Sequence, residues 1–105
     1  MTQDKANALV QRANDLHNRG DKLLAAPLYV EAARLFAPYA SFALVAGDSL
    51  AEAGDLPAAI EAYQVCLAGV ADHPEAMRGL ADARRRLSGS ELANRKGCLA
   101  RLFGG

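Results

Sequence analysis

The side chains with intrinsic reactivity are few: Cys66 and Cys98, His17 and His73, and the serines Ser41, Ser49, Ser88 and Ser90. Cys66 and Cys98 are far apart in the chain, with no CxxC and no histidine at ligand spacing, so no zinc site or local redox pair is expected. None of the serines sits in a GxSxG elbow, and no glycine-rich loop is available to cradle phosphates. His73 stands just before Pro74 and Glu75, where an imidazole capping a helix start accounts for it. These residues do not converge on a catalytic constellation. The expectation is a protein that is not an enzyme and needs no metal or cofactor.

The elements that carry these residues follow from composition. The chain has 105 residues, of which 23 are Ala and 15 Leu, against one Ile, one Thr and five Val. Ala and Leu are strong helix formers and β-branched residues favour strands, so an all-α fold is expected. A hydrophobic content of 51% is too high for a disordered chain, and the length suits one domain over residues 1–105. The polar N-terminal segment carries no basic-then-apolar leader, and the longest apolar candidate, residues 37–47, is too short for a membrane span. A reducing, cytoplasmic setting without a structural disulfide is therefore expected.

The chain also repeats. Gly20-Asp21 recurs as Gly54-Asp55, which sets a 34-residue period, and one further period lands on Ser88-Gly89. Behind the first turn come Ala25, Tyr29 and Ala32; behind the second, Ala59, Tyr63 and Cys66; behind the third, Ala93, Gly97 and Ala100. Small, large, small at this spacing makes one helix face, with the small residues admitting a neighbouring helix. Upstream of the turns, Leu9, Ala13 and Leu16 share a face, as do Ala43, Gly47 and Leu50, while Met77, Leu80 and Ala81 open the third. Asp55 with Pro57, and His73 with Pro74, read as helix starts, and Pro38 separates two helices. Six helices are expected, at about 5–19, 23–36, 41–53, 57–70, 75–87 and 90–102. Pro27 is tolerable if its helix begins at Leu23 or Leu24, which puts the carbonyl four residues back in the cap.

The 34-residue period, the Gly-Asp turn and the Ala-x3-Tyr-x2-Ala second helix resemble tetratricopeptide repeats. The run from Ala25 to Tyr29 is similar to the Ala-x-Pro-Leu-Tyr variant of kinesin-light-chain-like repeats. The resemblance covers two good repeats, about 6–39 and 40–76, and a degenerate third over 77–103. It implies a short right-handed superhelix of antiparallel helices. This chain departs from the family at Arg12 and Arg84, where large buried residues are usual, and at Ala43 and Gly97, where aromatics are usual. Cys66 falls where the family has a small buried residue, so a core thiol is implied rather than a nucleophile.

The resemblance further implies a concave groove lined by the first helix of each repeat. Its lining would be Asn7, Val10, Asn14, His17 and Asn18, then Ser41, Leu44, Asp48, Ala51 and Glu52, then Arg78, Asp82, Arg85 and Arg86. On this reading the groove takes a peptide of a partner protein, anchored near Leu44 and oriented by the Asn14 amide. The clamp that recognises the C-terminal carboxylate of heat-shock chaperones needs a Lys where Val10 stands, so it is not expected. A small secretion chaperone that holds an export substrate is the alternative, and a self-assembling structural protein is a second.

Charge is unevenly spread although the net is zero. Residues 35–77 hold six acidic and no basic side chains; residues 78–105 hold seven basic and two acidic. Such polarity could steer a charged partner or favour a head-to-tail homo-oligomer through charge complementarity; internal pairing between neighbouring repeats, or simple solvation, is the plainer reading. Three consecutive arginines, Arg84 to Arg86, point about 100° apart on a helix and have no aromatics interleaved, so nucleic acid is not an expected partner. The last segment, with Leu92, Leu99, Leu102 and Phe103 near one face and Arg95, Lys96 and Arg101 among them, is expected to cap the stack or to dock on a second subunit; it is too short and Gly-interrupted for a membrane.

Overall fold

A computed structural model describes the backbone of residues 2–103 and the side chains of residues 2–89. The described residues form five α-helices and no strand: α1 (Thr2–Asn18), α2 (Lys22–Leu35), α3 (Ala40–Glu52), α4 (Leu56–Gly69) and α5 (Pro74–Phe103), with a 3₁₀ turn at Ala37–Tyr39. Each helix packs on the next in sequence, and α2 also touches α4 while α3 touches α5. The domain is thus a helical repeat in which contacts are mostly local.

The first two predicted turns form because each glycine adopts a backbone that other residues resist. Gly20 has φ +90° and Gly54 φ +89°, the only positive values among the described residues. Around Gly20, its N–H donates to the His17 carbonyl at 3.0 Å and the Asp21 N–H to the Leu16 carbonyl at 2.8 Å. The same pair recurs one period on, with Gly54 donating to Ala51 at 3.1 Å and Asp55 to Leu50 at 2.9 Å. Both are Schellman closures, which satisfy carbonyls a helix end would otherwise leave bare. The aspartates that follow differ: the Asp55 carboxylate accepts from the Ala58 N–H at 3.3 Å, whereas Asp21 makes no side-chain cap. His73 caps α5 as expected, accepting at Nδ1 from the Ala76 N–H at 3.3 Å.

The third predicted turn does not form. Helix α5 runs without a break through Ser88 and Gly89, so five helices stand where six were expected. At Gly20 and Gly54 the chain turns back to seat a tyrosine; the equivalent residue of a third hairpin is Gly97. A hairpin there would bury little, and unbroken helical hydrogen bonding prevails. The predicted capping helix at 90–102 is therefore the continuation of α5, and the side chains of Leu92, Cys98, Leu99 and their neighbours lie outside the described residues.

The register of α5 also differs from expectation. Ala76 and Ala83 are fully buried, with Leu80 and Leu87 packed against them, whereas Met77 is 53% exposed and Ala81 is exposed. Positions 76, 80, 83 and 87 follow helical spacing, so the inward face is rotated by one residue from the Met77–Leu80–Ala81 reading. Helix α2 starts at Lys22, earlier than the start at Leu23 or Leu24 that would relieve Pro27. Proline has no N–H, so the Leu23 carbonyl lacks its donor four residues on, inside the helix and not in its cap.

The core is built on alanines and two tyrosines. Ala13, Ala25, Ala26, Ala46 and Ala62 enclose Tyr29; Ala43, Ala59, Cys66, Ala76 and Ala83 belong to the cluster around Tyr63. Where Ala43 replaces the expected aromatic, Phe42 supplies one instead and stacks on Tyr29 with centroids 5.5 Å apart and rings 1° from parallel. Tyr39 and Phe36 extend this line edge to face.

Candidate functional site

The tyrosines connect the core to the surface on which the binding residues are expected. Tyr29, on α2, donates its hydroxyl proton to Oδ1 of Asn14, on α1. Tyr63, on α4, donates to Oδ1 of Asp48, on α3, at 2.7 Å. The two pairs have the same separation in sequence and are related by the 34-residue period. The ring of each tyrosine is buried, so the hydroxyl emerges at a fixed place and holds the polar side chain it meets. A third tyrosine, Tyr39, donates to Oδ1 of Asn7.

Tyr63 is packed closely against two glycines. A Cβ on Gly47 would lie 2.7 Å from the ring, and one on Gly79 would lie 2.5 Å from it. Glycines on α3 and α5 thus leave a slot into which the Tyr63 ring fits. Burial first, then the hydrogen bond and negative charge of Asp48, raise the Tyr63 pKa well above the ordinary tyrosine value; Arg86 opposes this weakly. Burial likewise raises Tyr29. It also raises the Cys66 thiol, against an opposing backbone hydrogen bond at Leu44, so this cysteine is a buried, protonated core residue.

Beside Tyr63, between α3 and α5, lies an open cleft of about 460 Å³. Asp48, Arg78, Asp82 and Arg85 line it, joined by Glu75 and Gly79. Asp48 of α3 and three residues of α5, all expected on one groove, therefore line a single cleft. Within the cleft Asp82 is already engaged, accepting from Arg85 at 3.1 Å and lying 3.9 Å from Arg86. Asn18, Ser41 and Glu52 are exposed, and Ala51 is half-buried.

Three predicted residues sit differently. Val10 is only 9% exposed and belongs to a buried cluster with Ala6 and Ala32, because Ala6, Val10 and Ala13 occupy the face of α1 turned to its neighbours. It is a core residue. Leu44 is half-buried and packs against the Tyr63 and Cys66 cluster, so the apolar anchor is largely consumed by the fold. His17 is half-buried with its ring edge-on to Tyr29, and its Nδ1 is buried without a partner.

A second depression has no counterpart in the expected groove. It is a cavity of about 620 Å³ that runs between α2 and α4, floored by Leu50 and Ala62, with Leu23, Pro27 and Val30 on one wall. Arg34 and Glu61 form an ion pair across it. The signal available in the sequence is the i, i+4, i+7 spacing of Leu23, Pro27 and Val30, which continues the α2 helix on a face away from Ala25 and Tyr29.

No group of three or more metal-binding side chains converges among the described residues. No helix among them is long and apolar enough to cross a membrane. Neither a protein-family model nor a curated protein matches the chain. The fold and surfaces define an all-helical repeat domain of sequentially packed helices.

Proposed function

We propose that the chain is a short tetratricopeptide-type adaptor that holds a peptide segment of another protein along α1, α3 and α5. The observation that carries this reading is a polar side chain held by a buried tyrosine and repeated with the 34-residue period, Asn14 by Tyr29 and Asp48 by Tyr63. Side chains fixed in this way are pre-organised, so the receptor loses little freedom when a peptide settles on them. The Asn14 amide offers a donor to a peptide carbonyl, and exposed Arg78, in the adjoining cleft, offers a charged one to a carboxylate. With Val10 and Leu44 drawn into the core, recognition is mainly polar, and an extended segment of mixed charge suits it better than an apolar export substrate. The cytoplasm, where Cys66 stays a thiol, is the compartment this reading assigns.

Immobilised full-length chain, with retained proteins identified by mass spectrometry, tests the proposal. One partner should be retained by the wild type and weakened about tenfold or more by Arg78→Glu, the scale of one lost charged hydrogen bond. Retention unaffected by both Arg78→Glu and Asn14→Ala would rule the surface out. Recovery of an exported, aggregation-prone protein would turn the reading to a chaperone.

A further inference from the structure

The groove between α2 and α4 takes no part in the peptide surface proposed above, and its chemistry is different. Leu23 is 53% exposed on its wall, and Pro27, Val30 and Leu50 continue the apolar lining. Around this apolar strip stand three carboxylates, Glu31, Asp55 and Glu61, against a single cation, Arg34, which Glu61 already pairs. An apolar strip edged with acceptors fits a helix that carries leucines and phenylalanine with basic side chains among them.

The chain itself supplies such a segment. Residues 92–103 contain Leu92, Leu99, Leu102 and Phe103 together with Arg95, Lys96 and Arg101. It lies at the end of α5, a helix of 30 residues and so about 45 Å long, beside α4, whose 14 residues span about 21 Å. A helix unbroken from Pro74 to Phe103 cannot fold its own last turns back onto the α2–α4 groove. We infer that the groove receives the C-terminal end of α5 from a second copy of this chain. Exchange between two copies closes a symmetric dimer if it is mutual, and makes longer chains if it is not.

Sedimentation velocity on the full chain over about a hundredfold range of concentration, at low and at about 0.5 M salt, tests this inference. The expected result is a species of at least twice the 11.1 kDa monomer mass that dissociates as salt rises. Leu23→Asp, at an exposed site in the first turn of α2, and Phe103→Asp should each return it to monomer with unchanged helical circular dichroism. A photoreactive phenylalanine in place of Phe103 should crosslink between copies onto the tryptic peptide of residues 23–34. A monomer at every concentration, an oligomer that survives Leu23→Asp, or crosslinks only outside α2 and α4 would each overturn the inference. None of these outcomes depends on whether a partner peptide binds along α1, α3 and α5.

Discussion

Tyr63 donates its hydroxyl proton to Asp48 at 2.7 Å, and one repeat earlier Tyr29 makes the same bond to Asn14. The repeat is therefore a chemical one as well as a spacing of turns. A buried ring occupies the space between helices, and its one polar atom reaches the surface of the preceding helix. Tyr63→Phe keeps the ring and removes the bond. Because Asp48 is exposed and returns to water, the expected cost is about 1 kcal/mol in denaturant unfolding, without the larger penalty of a buried orphan. A loss well above that would mean that Tyr63 contributes more than the single bond.

The same tyrosine predicts how stability changes in alkali. Its pKa is raised in the folded chain from an ordinary value of 10.0, by burial first and then by Asp48. Above about pH 10 the unfolded chain releases a proton that the folded chain still holds, so the unfolded state gains. The stabilisation is complete below the unfolded pKa and declines as pH rises beyond it. Denaturant midpoints should fall between about pH 9 and about pH 11, and Tyr63→Phe should make that fall shallower. Equal slopes for wild type and variant would show that Tyr63 titrates normally.

Period and turns are legible in the sequence because they rest on strict requirements. A left-handed backbone at Gly20 and Gly54 needs glycine, and each predicted helix up to α4 begins and ends within a few residues of its observed bounds. What is not legible depends on tertiary partners. Ser88-Gly89 has the composition of a stop, but a stop also needs a following helix with something to bury, and no aromatic stands at Gly97. Met77 and Ala76 are both plausible inward residues by spacing. The choice falls to Ala76 because Tyr63 fills the space beside Gly79, and that fit depends on a residue of another helix. Repeat position alone puts Val10 on the binding surface, yet its neighbours Ala6 and Ala32 are too small to fill the core without it.

The two turn aspartates, equivalent by sequence, should not be equivalent in energy. Asp55 accepts from the Ala58 N–H, and Asp21 makes no such bond. Asp55→Ala should cost about 1 kcal/mol, the usual value of an N-cap, while Asp21→Ala should be close to neutral. Thermal melts of the two variants decide this. Equal losses would place the aspartates' contribution in the charge at the helix N-terminus and not in the cap.

Glycine substitutions along the helices separate propensity from packing. Ordinarily Gly→Ala inside a helix gains about 1 kcal/mol. A side-chain carbon added at Gly89, in α5, would meet nothing within 4 Å, so Gly89→Ala should show that gain in full. At Gly79 the new carbon would lie 2.5 Å from the Tyr63 ring, and at Gly47 it would lie 2.7 Å from it. The ring is confined on both sides, so it cannot swing clear of either substitution without giving up its bond to Asp48. Overpacking of this kind costs about 1–3 kcal/mol, which outweighs the propensity gain. Gly79→Ala and Gly47→Ala should therefore destabilise, and pairing either with Tyr63→Leu should recover part of the loss by freeing the slot. If Gly79→Ala stabilised the chain as much as Gly89→Ala, the Tyr63 slot would not be the tight fit on which the position of Asp48 depends.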